Sequence, residues 1–204
     1  MAIARTANGT GTAGTDTGKT YSFDCTGGNV LFGATYQETA SSTMTYNGVS
    51  MTQVVQVAQG GLSYWMSVFF LASPSTGANN LITSMTSCYN QIYAASYSGA
   101  STSTPTSFDN QASASATSIT DTLSTTGNAW YFGVANGSSL TGTTNATQLN
   151  TPNPTFQASY DSNGIAGSTS MTVSRSGSAR IGLAAVAFQE ASSVSVNSNF
   201  LMFM

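Results

Sequence analysis

Two glycine-rich runs near the start of the chain have spacings that could bind phosphate. Gly9-Thr-Gly11-Thr-Ala-Gly14 matches the dinucleotide fingerprint G-x-G-x-x-G, and residues 14–20 fall one residue short of a P-loop. Both kinds of site need a following helix whose N-terminus faces the phosphate. Residues 21–25, Tyr-Ser-Phe-Asp-Cys, alternate in polarity as a strand does. The sequence therefore predicts glycine-rich loops here and no cofactor.

Acid–base chemistry has few candidates in this chain. There is no histidine, which excludes Ser-His-Asp and Cys-His catalysis. Two carboxylates could still support glycoside hydrolysis, but each acid stands alone in the sequence, so no pair is indicated and we predict that the protein is not an enzyme. The stretch 161–164, Asp-Ser-Asn-Gly, reads as a turn rather than a calcium loop, because the later glutamate is missing. The acids are Asp16, Asp24, Glu38, Asp109, Asp121, Asp161 and Glu190.

The two cysteines, Cys25 and Cys88, lie in strand-like surroundings. Two small buried thiols are the favoured interpretation. A disulfide stays open, because pairing in space cannot be read from sequence. Two cysteines without histidine make no zinc site, so no metal site is predicted.

Charge is scarce along the whole chain. Only 5% of the 204 residues are charged and the net charge is −3, against about 25% charged residues in a typical soluble domain. Four scattered basic residues are too few for a nucleic-acid surface or a basic membrane patch. No apolar run approaches the ~20 residues that span a bilayer, and the first residues lack the apolar stretch of a secretory signal.

The clearest strand pattern runs from Met44 to Leu71. Asn47-Gly48 is typical of a tight type I′ hairpin turn. Residues 64–71 then place apolar side chains on both faces, which predicts a central strand that is covered on both sides. Strong strands are also predicted at residues 30–36, 91–97, 129–135 and 180–190. The predicted core residues are Trp65, Phe70, Trp130, Phe132, Ile181 and Val186.

Strands recur about every ten residues with turn signals between them, and no helix is convincing. Asn-Gly pairs beginning at residues 8, 47, 136 and 163 predict four turns, and Pro152 and Pro154 predict a loop over 138–154. Residues 100–128 are either a weak edge strand or a mobile loop. No internal repeat of fixed period is visible. The sequence predicts one all-β domain over residues 1–191, an antiparallel jelly-roll-like sandwich with almost no helix.

Three segments resemble a class of Ser/Thr-rich β-sandwich domains found in phage virion proteins and bacterial surface proteins. They are residues 46–52, 67–77 and 94–99, which read as a hairpin, an aromatic strand with a Pro-x-x-Gly turn, and a strand ending in Tyr-Ser-Gly. The resemblance spans roughly residues 20–190. It implies a structural virion protein at the particle surface, such as a capsid decoration or cement protein, with no catalytic residues.

Two function classes follow from these patterns. The first is the structural virion protein, which would form homo-oligomers and bind a capsid or other virion protein. Its predicted anchor is the apolar end of the tail over 192–204, although that tail could instead fold back as one more strand of its own sandwich. The alternative is a carbohydrate- or receptor-binding module, in which Tyr36, Tyr93 or Tyr97 would stack on sugars if exposed. Ordinary core packing is the favoured interpretation of these three residues. The predicted anchor residues are Phe200, Leu201, Met202, Phe203 and Met204.

Overall fold

The computed structural model describes residues 2–59, 64–125, 129–137, 140–144, 146–153, 157–164 and 167–192. Every strand pair within these residues is antiparallel, and none of them is helical. The predicted fold class, an all-β antiparallel sandwich, is therefore confirmed.

Ten strands, β1 to β10, make up the N-terminal sandwich. Its inner sheet has the order β1-β10-β4-β8-β7, and β2 also pairs with β10. Its outer sheet has the order β3-β9-β5-β6. The strand bounds are β1 Ala4–Thr10, β2 Gly14–Asp16, β3 Thr20–Asp24, β4 Val30–Gln37, β5 Ser42–Tyr46, β6 Val49–Ser50, β7 Thr52–Ala58, β8 Trp65–Ala72, β9 Ala78–Met85 and β10 Cys88–Ser98.

Six further strands make up the C-terminal sandwich. Two of them are long and cross from one layer to the other: residues 107–113 and 118–125 form two arms of β11, and residues 167–175 and 179–189 form two arms of β16. The bounds are β11 Ser107–Thr125, β12 Ala129–Gly137, β13 Leu140–Thr144, β14 Thr147–Asn153, β15 Gln157–Gly164 and β16 Gly167–Gln189.

The C-terminal sandwich repeats the strand order of the N-terminal one. Its inner sheet runs from the first arm of β11 through the second arm of β16 to β12, β15 and β14, and its outer sheet joins the second arm of β11, the first arm of β16 and β13. Residue registers match as well: Phe32 pairs with Ala95 and Phe70, and Phe132 pairs with Val186 and Asp161. The chain thus contains a structural repeat whose spacing shortens along the sequence.

Three apolar clusters separate the four sheet layers. One lies between the N-terminal inner and outer sheets and contains Leu31, Met44 and Phe69. The second lies between the corresponding C-terminal sheets. The third joins the two inner sheets, so β4 is buried along its whole length. Apolar residues on both faces of an inner strand are the expected consequence of two covered faces.

Aromatic rings pack where the two inner sheets meet. The equivalent residues Phe32 and Phe132 stack with ring centroids 5.6 Å apart. Equivalent Tyr97 and Phe188 lie 4.7 Å apart. β1 contacts β14, and β11 contacts β7 in the equivalent manner. The two sandwiches are therefore related by an approximate two-fold arrangement around these rings.

Four of the six residues predicted to lie in the core are buried, and two are not fully buried. Phe70, Phe132, Ile181 and Val186 are at most 3% exposed. Trp65 and Trp130, predicted in the core, are only partly buried, because each lies at the end of an inner strand. The hairpin at Asn47-Gly48 is confirmed by positive φ angles of 49° and 76°.

Several predicted turns and loops are strands instead. Asn8-Gly9 lies inside β1, so that turn prediction is wrong. Asn136-Gly137 ends β12, as predicted, and Asn163-Gly164 ends β15, but both pairs are still in the strand ladder. Residues 161–164, predicted as a turn, belong to β15. In these places ladder pairing with neighbouring strands outweighs the local turn preference.

The described part of the 138–154 segment, predicted as a loop, forms β13 and β14. β14 accommodates Pro152 because it is an edge strand with an irregular register, where the missing N–H is tolerated. Of the two readings for 100–128, the edge strand is confirmed by β11. The treatment of residues 1–191 as one domain stays a prediction.

Candidate functional site

The two sandwiches are joined by a partly buried polar contact. Arg5 on β1 donates through one guanidinium nitrogen to both carboxylate oxygens of Asp161 on β15, at 2.7 Å each. The Tyr97 hydroxyl on β10 donates to the same carboxylate at 3.1 Å. Burial raises the pKa of Asp161, while Arg5 and Tyr97 oppose that shift. Asp161 was predicted to stand alone in a turn, and it instead fixes the orientation of the two sandwiches.

The near-P-loop segment is closed by its own side chains. Asp16 forms an ion pair with Lys19 and accepts hydrogen bonds from the Gly18 N–H at 3.1 Å and the Asn90 side chain at 2.9 Å. Burial raises the pKa of Asp16, but these hydrogen bonds outweigh it and hold the pKa below its usual value. β3 follows at Thr20, as predicted, so no helix terminus faces this loop. The Asp16 carboxylate therefore closes this loop by binding Lys19, Gly18 and Asn90.

Asp109 and Asp121 lie close together where the first arm of β11 (107–113) meets its second arm (118–125), a place that we call the seam. Asp109 accepts a hydrogen bond from the Thr122 N–H at 2.9 Å. Asp121 is fully buried, and its carboxylate lies near the Ala185 backbone N–H but outside hydrogen-bond geometry. Burial, with repulsion from Asp109, raises the pKa of Asp121 to about 8, although the Ala185 backbone N–H opposes the shift. The seam therefore holds one carboxyl group that stays protonated near neutral pH.

The equivalent seam of the N-terminal sandwich is filled differently. Register places Gly9 where the other sandwich has Asp109, and Tyr21 where it has Asp121. A Cβ atom at Gly9 would collide with the Tyr21 hydroxyl. An aromatic ring thus closes one seam and two carboxyl groups close the other, which sequence reasoning missed because neither pair is close along the chain.

A cleft of about 400 Å³ opens beside the acid pair. Ser107 and Ser124 line it, and the Ser107 hydroxyl donates to the Ser124 carbonyl at 2.8 Å. This contact lies next to the one between Asp109 and Thr122 along both arms of β11. The remaining lining residues are Ser101, Ser103, Thr104, Pro105, Thr106, Thr125, Ala187, Phe188 and Gln189.

The residues that the sequence predicted to bind sugars or partner proteins are not among the described residues that line this cleft. Tyr36, Tyr93 and Tyr97 are at most 5% exposed, so ordinary core packing, the favoured interpretation, is confirmed and these rings do not stack on sugars at the surface. Their rings fill the space between the inner sheets. The predicted anchor, Phe200, Leu201, Met202, Phe203 and Met204, lies outside the described residues.

Both cysteines are free and buried, as the favoured interpretation predicted. Burial raises the pKa of Cys25 to about 11, so its thiol is unreactive at neutral pH. Across the described ranges, no three His, Cys, Asp or Glu side chains group together in a way that would hold a metal ion. The same ranges contain no helix with the length and apolar character needed to cross a membrane.

Comparison with known proteins gives no relative for this arrangement. No family model matches the chain, no curated protein matches it, and no solved structure matches it.

Proposed function

We propose that the protein is a structural component of a virion surface, of the capsid-decoration kind, and that it acts through contacts with neighbouring proteins. The observation that carries this proposal is the uncharged outward face of the C-terminal outer sheet. Cross-strand neighbours on this face carry hydroxyl groups, and Thr120 and Thr172 hydrogen-bond to each other at 2.8 Å. The second arm of β11 exposes Ser118, Thr120, Thr122 and Ser124 in alternation.

The N-terminal outer sheet presents a related face at the other end of the stack. Thr20, Ile82 and Thr45 are aligned across β3, β9 and β5. Ile82 is 38% exposed, and Val49 in the adjoining β6 is 51% exposed. The cores of protein interfaces are depleted of charged residues. A neighbouring subunit could therefore cover either face without removing water from many charges.

Several of the few charges are used inside the molecule. Asp161 and Asp121 are buried, and Arg175 is 9% exposed. Lys19 is paired with Asp16. Burying a charge costs free energy unless it is paired, so a surface that relies on hydroxyl and amide groups suits close packing in an assembly. The apolar C-terminal segment stays a predicted anchor for the same contacts.

The experiment uses particles produced by the genome that encodes the chain. Antibodies against the recombinant protein should label the outer surface of purified virions in electron micrographs. An Ile82→Lys variant should be incorporated at least about tenfold less, because the new charge would be desolvated at the contact. Thr52→Lys, at an exposed position on the edge strand β7, is the matched control. Absence of the protein from purified virions would overturn the proposal.

A further inference from the structure

The cleft of about 400 Å³ lies where the segment joining the two sandwiches crosses the C-terminal sandwich. Ser101 and residues 103–106 form one wall, and the ends of β11 and β16 form the other. Sites for small ligands occupy roughly 300–1,000 Å³, so the cleft has room for a single sugar ring. This feature is independent of the proposed assembly role, which depends on the outer sheets.

The chemistry of the lining is neutral and rich in hydroxyl groups. Seven of the lining residues are serine or threonine, Gln189 contributes an amide, and no lining residue is charged. Hydroxyl groups both donate and accept hydrogen bonds, which matches the alternating donors and acceptors of a sugar. Pro105 also lines the cleft, whereas the Phe188 ring faces the core between the inner sheets.

Hydrogen bonds fix the first residues of the segment that walls the cleft. The Ser101 N–H donates to the Gln189 carbonyl at 2.8 Å, and the Ala191 N–H donates to the Gly99 carbonyl at 2.9 Å. The Asn29 side-chain amide donates to the Ala100 carbonyl at 2.6 Å and accepts from the Ala100 N–H at 3.2 Å. A wall fixed in this way lowers the entropic cost of binding.

The N-terminal sandwich shows how the equivalent place is closed. There the Thr6 hydroxyl bonds the Ser96 hydroxyl at 2.7 Å, and a Cβ atom at Gly28 would lie 3.0 Å from Ser96 Cβ. Register places Ala187 where the other sandwich has Ser96. Ala187 has no hydroxyl to make this bond, and Thr106, which precedes β11, lines the cleft instead.

We propose that this cleft is a binding site for a neutral monosaccharide unit, either free or at the end of a glycan. The Asp109 carboxylate beside it disfavours an anionic sugar. The hydroxyl wall supplies the polar contacts, and the Gln189 amide fixes the orientation of the ring.

The test is titration of the full-length, isotope-labelled protein by NMR with methyl β-glucoside, methyl β-galactoside and N-acetylglucosamine. N-acetylneuraminic acid serves as the anionic comparison. We expect saturable shifts confined to backbone amides of residues 101–104, 106–107 and 187–189, with at least one neutral sugar bound more tightly than the anionic one. No saturable shift with any neutral sugar, or shifts centred elsewhere, would overturn the proposal.

Two variants separate a real site from weak surface contact. Thr106→Trp fills the cleft from an exposed position and should abolish the shifts, while Gln189→Ala should weaken binding about tenfold by removing the amide. Asn80→Ala removes an exposed amide from the N-terminal outer sheet and should leave binding unchanged. Circular dichroism confirms that each variant is folded. Undiminished binding by the folded Thr106→Trp variant would contradict the site.

Discussion

The two sandwiches share a strand order and a residue register, yet they differ at buried polar positions. Where the N-terminal sandwich has Phe70 facing the common core, the C-terminal one has Asp161. Where it has Tyr21 in the seam, the other has Asp121. The same fold therefore accommodates an aromatic ring or a carboxyl group at equivalent positions, provided that each carboxyl group is paired or protonated.

Other positions stay the same in both sandwiches. Phe32 and Phe132 are equivalent and stack on each other. The glycine that follows each of them lets a methionine from the outer sheet approach the strand: Met44 lies against Gly33, and Met171 lies against Gly133. The residues shared by the two sandwiches thus lie where neighbouring sheets approach each other closely.

The largest expected effect is at the ring pair that joins the sandwiches. Phe132→Ala should lower the free energy of unfolding by about 3–5 kcal/mol, because Phe132 is fully buried and leaves a cavity. Phe32→Ala should cost a similar amount, since the two positions are equivalent. Urea denaturation followed by fluorescence measures both.

The control for this comparison is Phe108→Ala on β11, where the side chain is 50% exposed. It should cost less than about 1 kcal/mol. A single unfolding transition is expected for the wild-type protein and for both core variants, because the two inner sheets share one core. Two separate transitions would show that the sandwiches unfold independently and would contradict that shared core.

Much of the fold was predictable from alternation alone. The apolar residues of β4, β8, β10, β12 and β16 lie on the predicted faces, because a strand buried on both sides must carry them on both sides. The repeat was not predictable, since equivalent positions such as Tyr21 and Asp121 share no chemistry and the spacing between repeats changes along the chain.

The acid seam and the cleft were also beyond sequence reasoning. Asp109 and Asp121 read as isolated acids, and they meet only because β11 crosses from the inner to the outer sheet between its two arms. The segment 101–106 reads as a polar loop, and nothing in its composition says that it walls a cleft. Contacts of this kind depend on how the layers stack, which strand periodicity does not encode.

The next effect is a pH dependence of the C-terminal seam, which the N-terminal seam lacks because Tyr21 stands in place of Asp121. The pKa of Asp121 is raised to about 8 in the folded protein, whereas an unfolded aspartate titrates near 3.9. Folded protein therefore holds this proton where unfolded chain has lost it, so the contribution is present at low pH and is lost as pH rises towards 8. Between pH 5 and 8 this costs about 4 kcal/mol of stability.

Two variants sharpen that expectation. Asp121→Asn should match the wild-type stability at pH 5 and exceed it at pH 8, because the amide cannot ionise. Asp109→Asn should move the transition to lower pH, since the repulsion from Asp109 contributes to the raised pKa. The measurement is the thermal midpoint between pH 4 and 9. An unchanged pH profile in Asp121→Asn would show that Asp121 ionises normally in the fold.

The smallest expected effect is at the contact between Arg5 and Asp161, where the N-terminal sandwich has Phe70. Arg5→Met leaves Asp161 buried without its partner, which would cost several kcal/mol for a fully buried pair. Arg5 is 31% exposed, so solvent and the Tyr97 hydroxyl reduce the loss to about 1–3 kcal/mol. The loss should shrink at low pH, where Asp161 takes up a proton.

A double variant then separates the charge from the shape of the site. Arg5→Met with Asp161→Leu replaces the ion pair by apolar side chains, as Phe70 already does in the equivalent place. It should recover most of the stability lost in Arg5→Met, because buried ion pairs can be replaced by well-packed apolar groups without loss. Tyr97 then loses its acceptor, so Tyr97→Phe added to the double variant should be neutral or stabilising. If the double variant is less stable than Arg5→Met alone, the carboxylate has a further role at this position that packing cannot replace.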